Sequence, residues 1–135
     1  MGISALWPYH AVLMTLGFLL LFTGMLIARY LKTRQWWLRA HKMMGIQGTI
    51  LFISGLLMAI CMVSLSTGVH FRVPHAYFGA IVIALIVMNP ILGYAQLKSS
   101  SKAAKIRTIH SWSGYFALVL ILINMIVGIL LVGII

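Results

Sequence analysis

The chain has 135 residues, of which 63% are hydrophobic and only 7% are charged, whereas a soluble domain is about a quarter charged. It contains ten Lys and Arg residues and no Asp or Glu, so its formal net charge is +10. The missing carboxylates exclude acid/base catalysis by carboxylate pairs, carboxylate metal sites and acidic proton relays. The composition therefore predicts a membrane protein.

Four apolar stretches are each close to the ~20 residues that cross ~30 Å of hydrocarbon. In chain order, the predicted helices cover about 9–31, 39–65, 73–97 and 107–132. The first stretch is too long for a signal peptide, and it lacks a basic leader and a small-residue cleavage site. Because the connectors are short, we expect a single all-α domain over residues 1–135, a bundle of four transmembrane helices.

The basic residues are distributed unequally between the two membrane faces. Nine of the ten flank the first and third connectors, and only Arg72 lies on the opposite side. This asymmetry is typical of cytoplasmic loops, so both termini are expected on the non-cytoplasmic side. Anionic lipid headgroups account for most of these charges, and nucleic acid is not an expected partner. The nine residues are Arg29, Lys32, Arg34, Arg39, Lys42, Lys98, Lys102, Lys105 and Arg107.

Each of the four predicted helices has a histidine near its beginning, and three of these histidines open the pattern His-x-x-x-Gly. Residues i and i+4 share one face of a helix, so each glycine leaves space beside an imidazole ring. A flat, bulky ligand bonded to the imidazole would need such a space, which indicates haem. The histidine of the first helix is His10, and the three pairs are His41 with Gly45, His75 with Gly79, and His110 with Gly114.

A histidine that binds a metal usually donates its second ring N–H to an acceptor. Without Asp or Glu, that acceptor must be a backbone carbonyl, a hydroxyl, an Asn, water or the ligand's own carboxylates. Two glycines, Gly24 and Gly55, each lie 14 residues after a proposed ligand, although close helix packing explains small residues equally well. In the third helix, Asn89-Pro90 predicts a kink, and mid-membrane Asn124 should find a partner on another helix.

Haem also has two propionates, which arginine side chains could neutralise, since guanidinium matches carboxylate geometry. Arg29, Arg39 and Arg107 lie close in sequence to the cytoplasmic level, and Arg72 is the corresponding candidate on the outer side. Contact with lipid headgroups is an equal alternative for each of them.

The chain resembles two copies of one helical hairpin. His10 and His75 each follow a proline closely and precede an alanine, while His41 and His110 each follow an arginine. Two such hairpins would be related by a pseudo-twofold axis along the membrane normal. Because helix bundles build haem sites between facing helices, we expect two bis-histidine b-type haems. The expected pairs are His10/His75 near the outer face and His41/His110 near the cytoplasmic face.

These residues resemble the core of the eukaryotic-type cytochrome b561 family, particularly the form found next to DOMON domains. The resemblance covers all four helices. It implies transmembrane electron carriers with two b haems, ligated between the first and third helices and between the second and fourth. The chain has four helices, whereas ascorbate-dependent members have six, and Arg72-Val-Pro-His75 stands where those members have Ser-Leu-His-Ser-Trp. The motifs are His10-Ala, Gly24, Ala28-Arg29-Tyr30, Trp37-Leu-Arg39-Ala-His41, Gln47, His75-Ala, Gly79, Asn89-Pro-Ile-Leu-Gly93, Ile109-His110-Ser-Trp112-Ser-Gly114, Asn124 and Gly128.

The predicted function is transmembrane electron transfer, with the iron of each haem held by two histidines. One alternative is a dihaem anchor subunit of a larger redox complex that exchanges electrons with quinone. A histidine-based metal or proton transporter is less favoured, because the histidines lie near the two faces and the midplane is nearly apolar. Besides the lipid bilayer, the expected partners are a redox donor and acceptor, which could be a small molecule, quinone or a haem protein. A homodimer and a subunit of a larger redox complex both stay open, and so does any reductase activity.

Overall fold

A computed structural model describes residues 6–134, so residues 1–5 and 135 of the predicted domain 1–135 lie outside the described part. The helices are α1 (Trp7–Tyr30), α2 (Trp37–Ser66), α3 (Pro74–Lys98) and α4 (Ala103–Ile134), and no strand occurs among residues 6–134. All four helices are long and apolar enough to cross a membrane. The predicted all-α class is confirmed, and the chain is an integral, multi-pass membrane protein.

The helix ends agree with the predicted ones to within two residues, except at the start of α4. This helix begins at Ala103, four residues before the predicted start. Ala103 and Ala104 are strong helix formers that carry no transmembrane signal. The backbone N–H of Lys102 donates to Ser99 Oγ at 3.1 Å just before the helix. The length of the apolar stretch therefore located the membrane-crossing part of α4 but not its first turn, residues 103–106.

Proline and glycine set three of the helix ends. Pro8 lies in the first turn of α1, and Pro74 is the first residue of α3, where a missing N–H costs no helical hydrogen bond. After α2 ends at Ser66, Gly68 has φ +69°, and its N–H donates to Val63 O at 2.9 Å. This left-handed glycine satisfies a carbonyl of the last helical turn and stops α2.

The chain divides into two compact units, Met1–Tyr77 and Phe78–Ile135. The first unit contains α1, α2 and the first turn of α3, and the second contains the rest of α3 with α4. The organisation as a single domain stays a prediction.

In the first unit, α1 and α2 approach closely at Gly17 and Gly48. A β-carbon at Gly17 would lie 2.8 Å from Phe52 Cδ2 and 3.2 Å from Gly48 O, and one at Gly48 would lie 3.1 Å from Gly17 O. Only glycine fits at these two positions without separating the backbones, as is common where membrane helices cross. The ring of Phe52 is 2% exposed and fills the space beside this crossing.

The second unit buries positions equivalent to those of the first. The proposed repeat relates His10 to His75 by a shift of 65 residues and His41 to His110 by a shift of 69. Applied to α2, the second shift maps all of its buried positions onto the buried positions of α4. Applied to α1, the first shift maps Gly17 onto buried Val82, but Gly24 and Ile27 onto the half-buried Asn89 and Leu92. The α2 positions are Gly48, Phe52 and Gly55, and their equivalents are Ala117, Ile121 and Asn124. The burial patterns of α2 and α4 thus support two copies of one hairpin. The positions equivalent to Gly17 and Gly48 are, however, occupied by the larger Val82 and Ala117 in the second copy.

Candidate functional site

His10 lies in the first turn of α1, where its ring is half-buried and oriented by α2. Its Nδ1 is 2.8 Å from the carbonyl oxygen of Gly55, within hydrogen-bonding distance. Because Gly55 has no side chain, α1 can approach so closely that a β-carbon there would lie 3.1 Å from Met14 Cε. This fixes the ring of His10 through one nitrogen and leaves the other, Nε2, for a different partner.

His75, in the first turn of α3, lies next to His10 in the first unit. The two ring centroids are 6.2 Å apart, and the ring planes are inclined by 84°. A metal–imidazole bond is about 2 Å long. With a ring radius of roughly 1 Å on each side, two imidazoles on one metal ion would have their centroids about 6 Å apart. A spacing of 6.2 Å would therefore leave room for one metal ion between the two rings.

His41, in the second turn of α2, makes the same type of contact at the other end of the hairpin. Its Nδ1 lies 2.9 Å from the carbonyl oxygen of Gly24 on α1. A β-carbon at Gly24 would lie 3.2 Å from Met44 Cβ and 3.6 Å from His41 O, so a side chain there would crowd the histidine's own turn. Gly24 and Gly55 thus allow close packing and also present a carbonyl acceptor to a histidine of the other helix. In the sequence, the signal was that each glycine lies 14 residues after the histidine of its own helix.

His110, in the second unit, is oriented by α3. Its Nδ1 lies 3.0 Å from the backbone carbonyl oxygen of Asn89. Gly93 provides the room, because a β-carbon there would lie 3.3 Å from His110 Cε1. Asn89 follows Gly24 by the same 65 residues that relate His10 to His75, so the two contacts are equivalent in the repeat. From the sequence, Asn89-Pro90 predicted only a kink, and this contact was missed.

Three of the proposed ligands, His10, His41 and His110, therefore place Nδ1 against a backbone carbonyl. The tautomer of His110 also depends on the side-chain amide of Asn89, one atom of which lies 2.9 Å from Nδ1. A carbonyl oxygen can only accept, so His10 and His41 each donate from Nδ1, and a neutral ring then keeps a lone pair on Nε2. This is the arrangement by which proteins fix the tautomer and direction of metal-binding imidazoles. The expectation of a neutral acceptor in an acid-free chain is confirmed for these rings.

The three glycines of the His-x-x-x-Gly patterns have different surroundings. Apart from its own stretch of helix, no atom of the described residues lies within 4 Å of a β-carbon built at Gly45, so this position is open, and its role beside a cofactor stays a prediction. At Gly79 the corresponding neighbour is Asn124 Nδ2 at 3.5 Å, and at Gly114 it is the amide of Asn89 at 3.6 Å. Gly79 and Gly114 thus contact asparagine side chains within the second unit, and their role beside a cofactor stays a prediction.

The four candidate arginines are all exposed. Arg29 is in the last turn of α1 and Arg39 in the first turn of α2. Arg107 is in the second turn of α4, and Arg72 is in the connector between α2 and α3. Their contact with haem propionates stays a prediction.

Long apolar helices carry imidazoles near their ends, and three of these imidazoles have Nδ1 against a backbone carbonyl. These features define a membrane protein suited to binding a metal cofactor through histidine. The family model for eukaryotic cytochrome b561 matches residues 9–101, more than two thirds of the chain, and the chain belongs to this family. The resemblance predicted from the motifs is thereby confirmed. Membership in this family implies that the protein binds haem b and takes part in transmembrane electron transfer. His10, His41 and His75 fall within the matched residues, and His110 lies beyond them.

No curated protein and no solved structure matches the chain significantly.

Proposed function

We propose that the chain carries electrons across the membrane through two b-type haems, each held by two histidines. His10 and His75 form one ligand pair, and His41 and His110 form the other. The observation that carries this proposal is the His10–His75 pair, with centroids 6.2 Å apart and His10 Nδ1 already bonded to Gly55 O. Membership in the family supports the cofactor and the reaction class.

The second pair is supported by the repeat rather than by a distance. His41 and His110 occupy equivalent positions in the two hairpins, and each ring is bonded through Nδ1 to an equivalent residue of the preceding helix, Gly24 or Asn89. If one pair of equivalent histidines binds a haem, the other pair offers the same chemistry.

The protein's contribution is to orient the ligands and to restrict the environment. The haem supplies one-electron iron chemistry when bound. The carbonyls of Gly55 and Gly24 would hold His10 and His41 in one tautomer, so neither ring has to lose a proton or rotate during electron transfer. Two strong nitrogen ligands of fixed direction favour a low-spin iron that transfers electrons with little rearrangement.

The distribution of charge supports an orientation in the membrane. Nine of ten basic residues flank the first and third connectors, so we place these in the cytoplasm and both termini on the opposite side. His41 and His110 would then lie near the cytoplasmic face, and His10 and His75 near the outer face. Electrons would pass between the two levels, to and from a donor and an acceptor that are small molecules, quinone or a partner haem protein.

The proposal is tested by haem stoichiometry in single histidine variants. The purified chain should contain two b haems by pyridine haemochrome assay, with low-spin spectra. His10→Ala and His75→Ala should each lose the same haem, and His41→Ala and His110→Ala should each lose the other. His70→Ala is the matched control, since His70 is an exposed histidine of the outer connector, 3.2 Å from Ser64 Oγ, and this variant should keep both haems.

Two results would overturn the pairing. One is a single haem in the unmodified, folded chain, and the other is loss of the same haem in the His10 and His41 variants. Additional subunits that co-purify, together with haem reduction that responds to a quinone-site inhibitor, would indicate the anchor-subunit alternative.

A further inference from the structure

The second hairpin differs from the first in the residue that orients its cytoplasmic-side histidine. His41 faces Gly24, which offers only a backbone carbonyl, whereas His110 faces Asn89, which offers a carbonyl and a side-chain amide. The repeat makes Gly24 and Asn89 equivalent, so the amide is an addition to a contact that works without it. A polar side chain in an apolar helix is costly unless it makes a specific interaction.

The amide of Asn89 is close enough to His110 to interact with the ring directly. One terminal atom of the amide lies 2.9 Å from His110 Nδ1, in addition to the backbone oxygen at 3.0 Å. A β-carbon at Gly114 would lie 3.6 Å from Oδ1 and 3.7 Å from Nδ2, in ordinary van der Waals contact with the amide.

The two possible orientations of the amide require different tautomers of His110. With Oδ1 toward the ring, both oxygens of Asn89 accept from Nδ1–H, and Nε2 keeps the lone pair that a metal needs. This orientation places Oδ1 3.0 Å from another acceptor, His110 O, and Nδ2 3.1 Å from another donor, Gly114 N. It alone, however, lets the backbone oxygen of Asn89, 3.0 Å from Nδ1, accept a hydrogen bond from the ring. With Nδ2 toward the ring, the amide donates to Nδ1 at 2.9 Å and to His110 O at 3.0 Å, and its oxygen accepts from Gly114 N–H at 3.1 Å. In that second case the proton of the neutral ring is on Nε2, so the ring cannot bind iron. Iron ligation by His110 therefore requires the first orientation.

We propose that Asn89 is a positioning residue for His110, whose side-chain oxygen joins the backbone oxygen in accepting the Nδ1–H of the ligating ring. This inference rests on the proposed haem ligation by His110. Two acceptors on one N–H draw its proton away from the ring more strongly than one does, which raises the basicity of the nitrogen that faces the metal. A more basic axial ligand stabilises the ferric form, so Asn89 lowers the reduction potential of the haem that His110 holds.

The test replaces the amide by groups with opposite effects. Asn89→Leu removes the second acceptor but keeps the backbone carbonyl, and Asn89→Asp substitutes an anionic acceptor of similar size. Ser113→Ala is the matched control, because Ser113 Oγ lies 3.5 Å from Asn89 Oδ1 and 3.2 Å from His110 O without bonding the ring. Each variant is purified with its haem, and three quantities are measured: haem content, the midpoint potential of each haem, and the proton NMR shift of the ring Nδ1–H in the reduced, diamagnetic state.

In Asn89→Leu, one haem should have a raised midpoint potential and an upfield-shifted ring Nδ1–H, while the other haem is unchanged. The affinity for the affected haem should fall about ten-fold or more, as is typical when a partner of a metal ligand is removed. In Asn89→Asp, the same haem should shift to lower potential, and Ser113→Ala should shift neither. A merely structural role for Asn89 would not reverse the shift between Leu and Asp.

The inference is overturned if the potentials of Asn89→Leu match those of the unmodified protein, or if both haems shift together. Should Asn89→Leu fail to accumulate, Asn89→Asp decides alone, because an unchanged or raised potential contradicts the inference. The unmodified protein and His110→Ala distinguish this outcome from failure of the proposed function. If the unmodified protein contains two haems and His110→Ala loses one, the ligation holds whatever the Asn89 variants do.

Discussion

The crossing of α1 and α2 at Gly17 and Gly48 gives a stability prediction for Gly48→Ala. The new β-carbon would lie 2.8 Å from Leu21 Cγ and Cδ2 and 3.1 Å from Gly17 O. The Leu21 side chain can rotate away, but the Gly17 carbonyl belongs to a helix backbone and moves only if the helices separate. Overpacking of this kind costs about 1–3 kcal/mol. Alanine regains up to about 1 kcal/mol of helix propensity. We expect a net loss of about 1 kcal/mol in the free energy of unfolding.

Gly133→Ala is the control for this measurement, because a β-carbon at Gly133 on α4 has no described atom within 4 Å. It should be neutral or stabilise the chain by up to about 1 kcal/mol. Both variants and the unmodified chain would be unfolded in mixed detergent micelles and followed by circular dichroism. If Gly48→Ala is as stable as Gly133→Ala, the backbones of α1 and α2 are not in contact at Gly17 and Gly48, and the reasoning fails.

Three further predictions concern single sites. If haem fills the open space beside His41, Gly45→Ala should weaken haem binding by roughly 5- to 150-fold, equivalent to about 1–3 kcal/mol. Unchanged haem retention when the variant is diluted would show that haem does not fill this space. Phe52→Ala should lower the free energy of unfolding by about 3–5 kcal/mol, because the ring is 2% exposed, whereas Ile53→Ala, 39% exposed, should cost far less in the same unfolding assay. Gly68→Ala should cost about 1 kcal/mol because φ is +69° there, and equal thermal midpoints for the variant and the unmodified chain would contradict this.

The sequence was sufficient for the helices and for the histidines near their ends, but not for the acceptors of those histidines. Apolar length locates a transmembrane helix to within about a turn, and it missed the first turn of α4 because Ala103-Ala104 is helical without being a membrane signal. The contacts of His41 with Gly24 and of His110 with Asn89 depend on which residues face each other across a helix pair. That register follows from side-chain packing along the whole interface, and a single sequence shows it only indirectly, as the 14-residue spacing of Gly24 and Gly55 did.

The absence of Asp and Glu has a consequence for the electron-transfer properties of the chain. An imidazole that donates to a carboxylate becomes strongly basic and stabilises ferric iron, whereas a carbonyl acceptor has a weaker effect. His10 and His41 each have Nδ1 against a backbone carbonyl, and the chain has ten cationic and no acidic side chains. A ferric centre has one more positive charge than a ferrous one, so these surroundings favour the reduced state and a comparatively high potential. If His110 binds one of two haems, as proposed above, the Asn89 amide is among the few groups able to lower the potential of that haem without adding a buried charge. The basic residues also surround the two levels unequally, since nine of the ten flank the first and third connectors. Removal of the amide should therefore change the difference in potential between the haems without abolishing it.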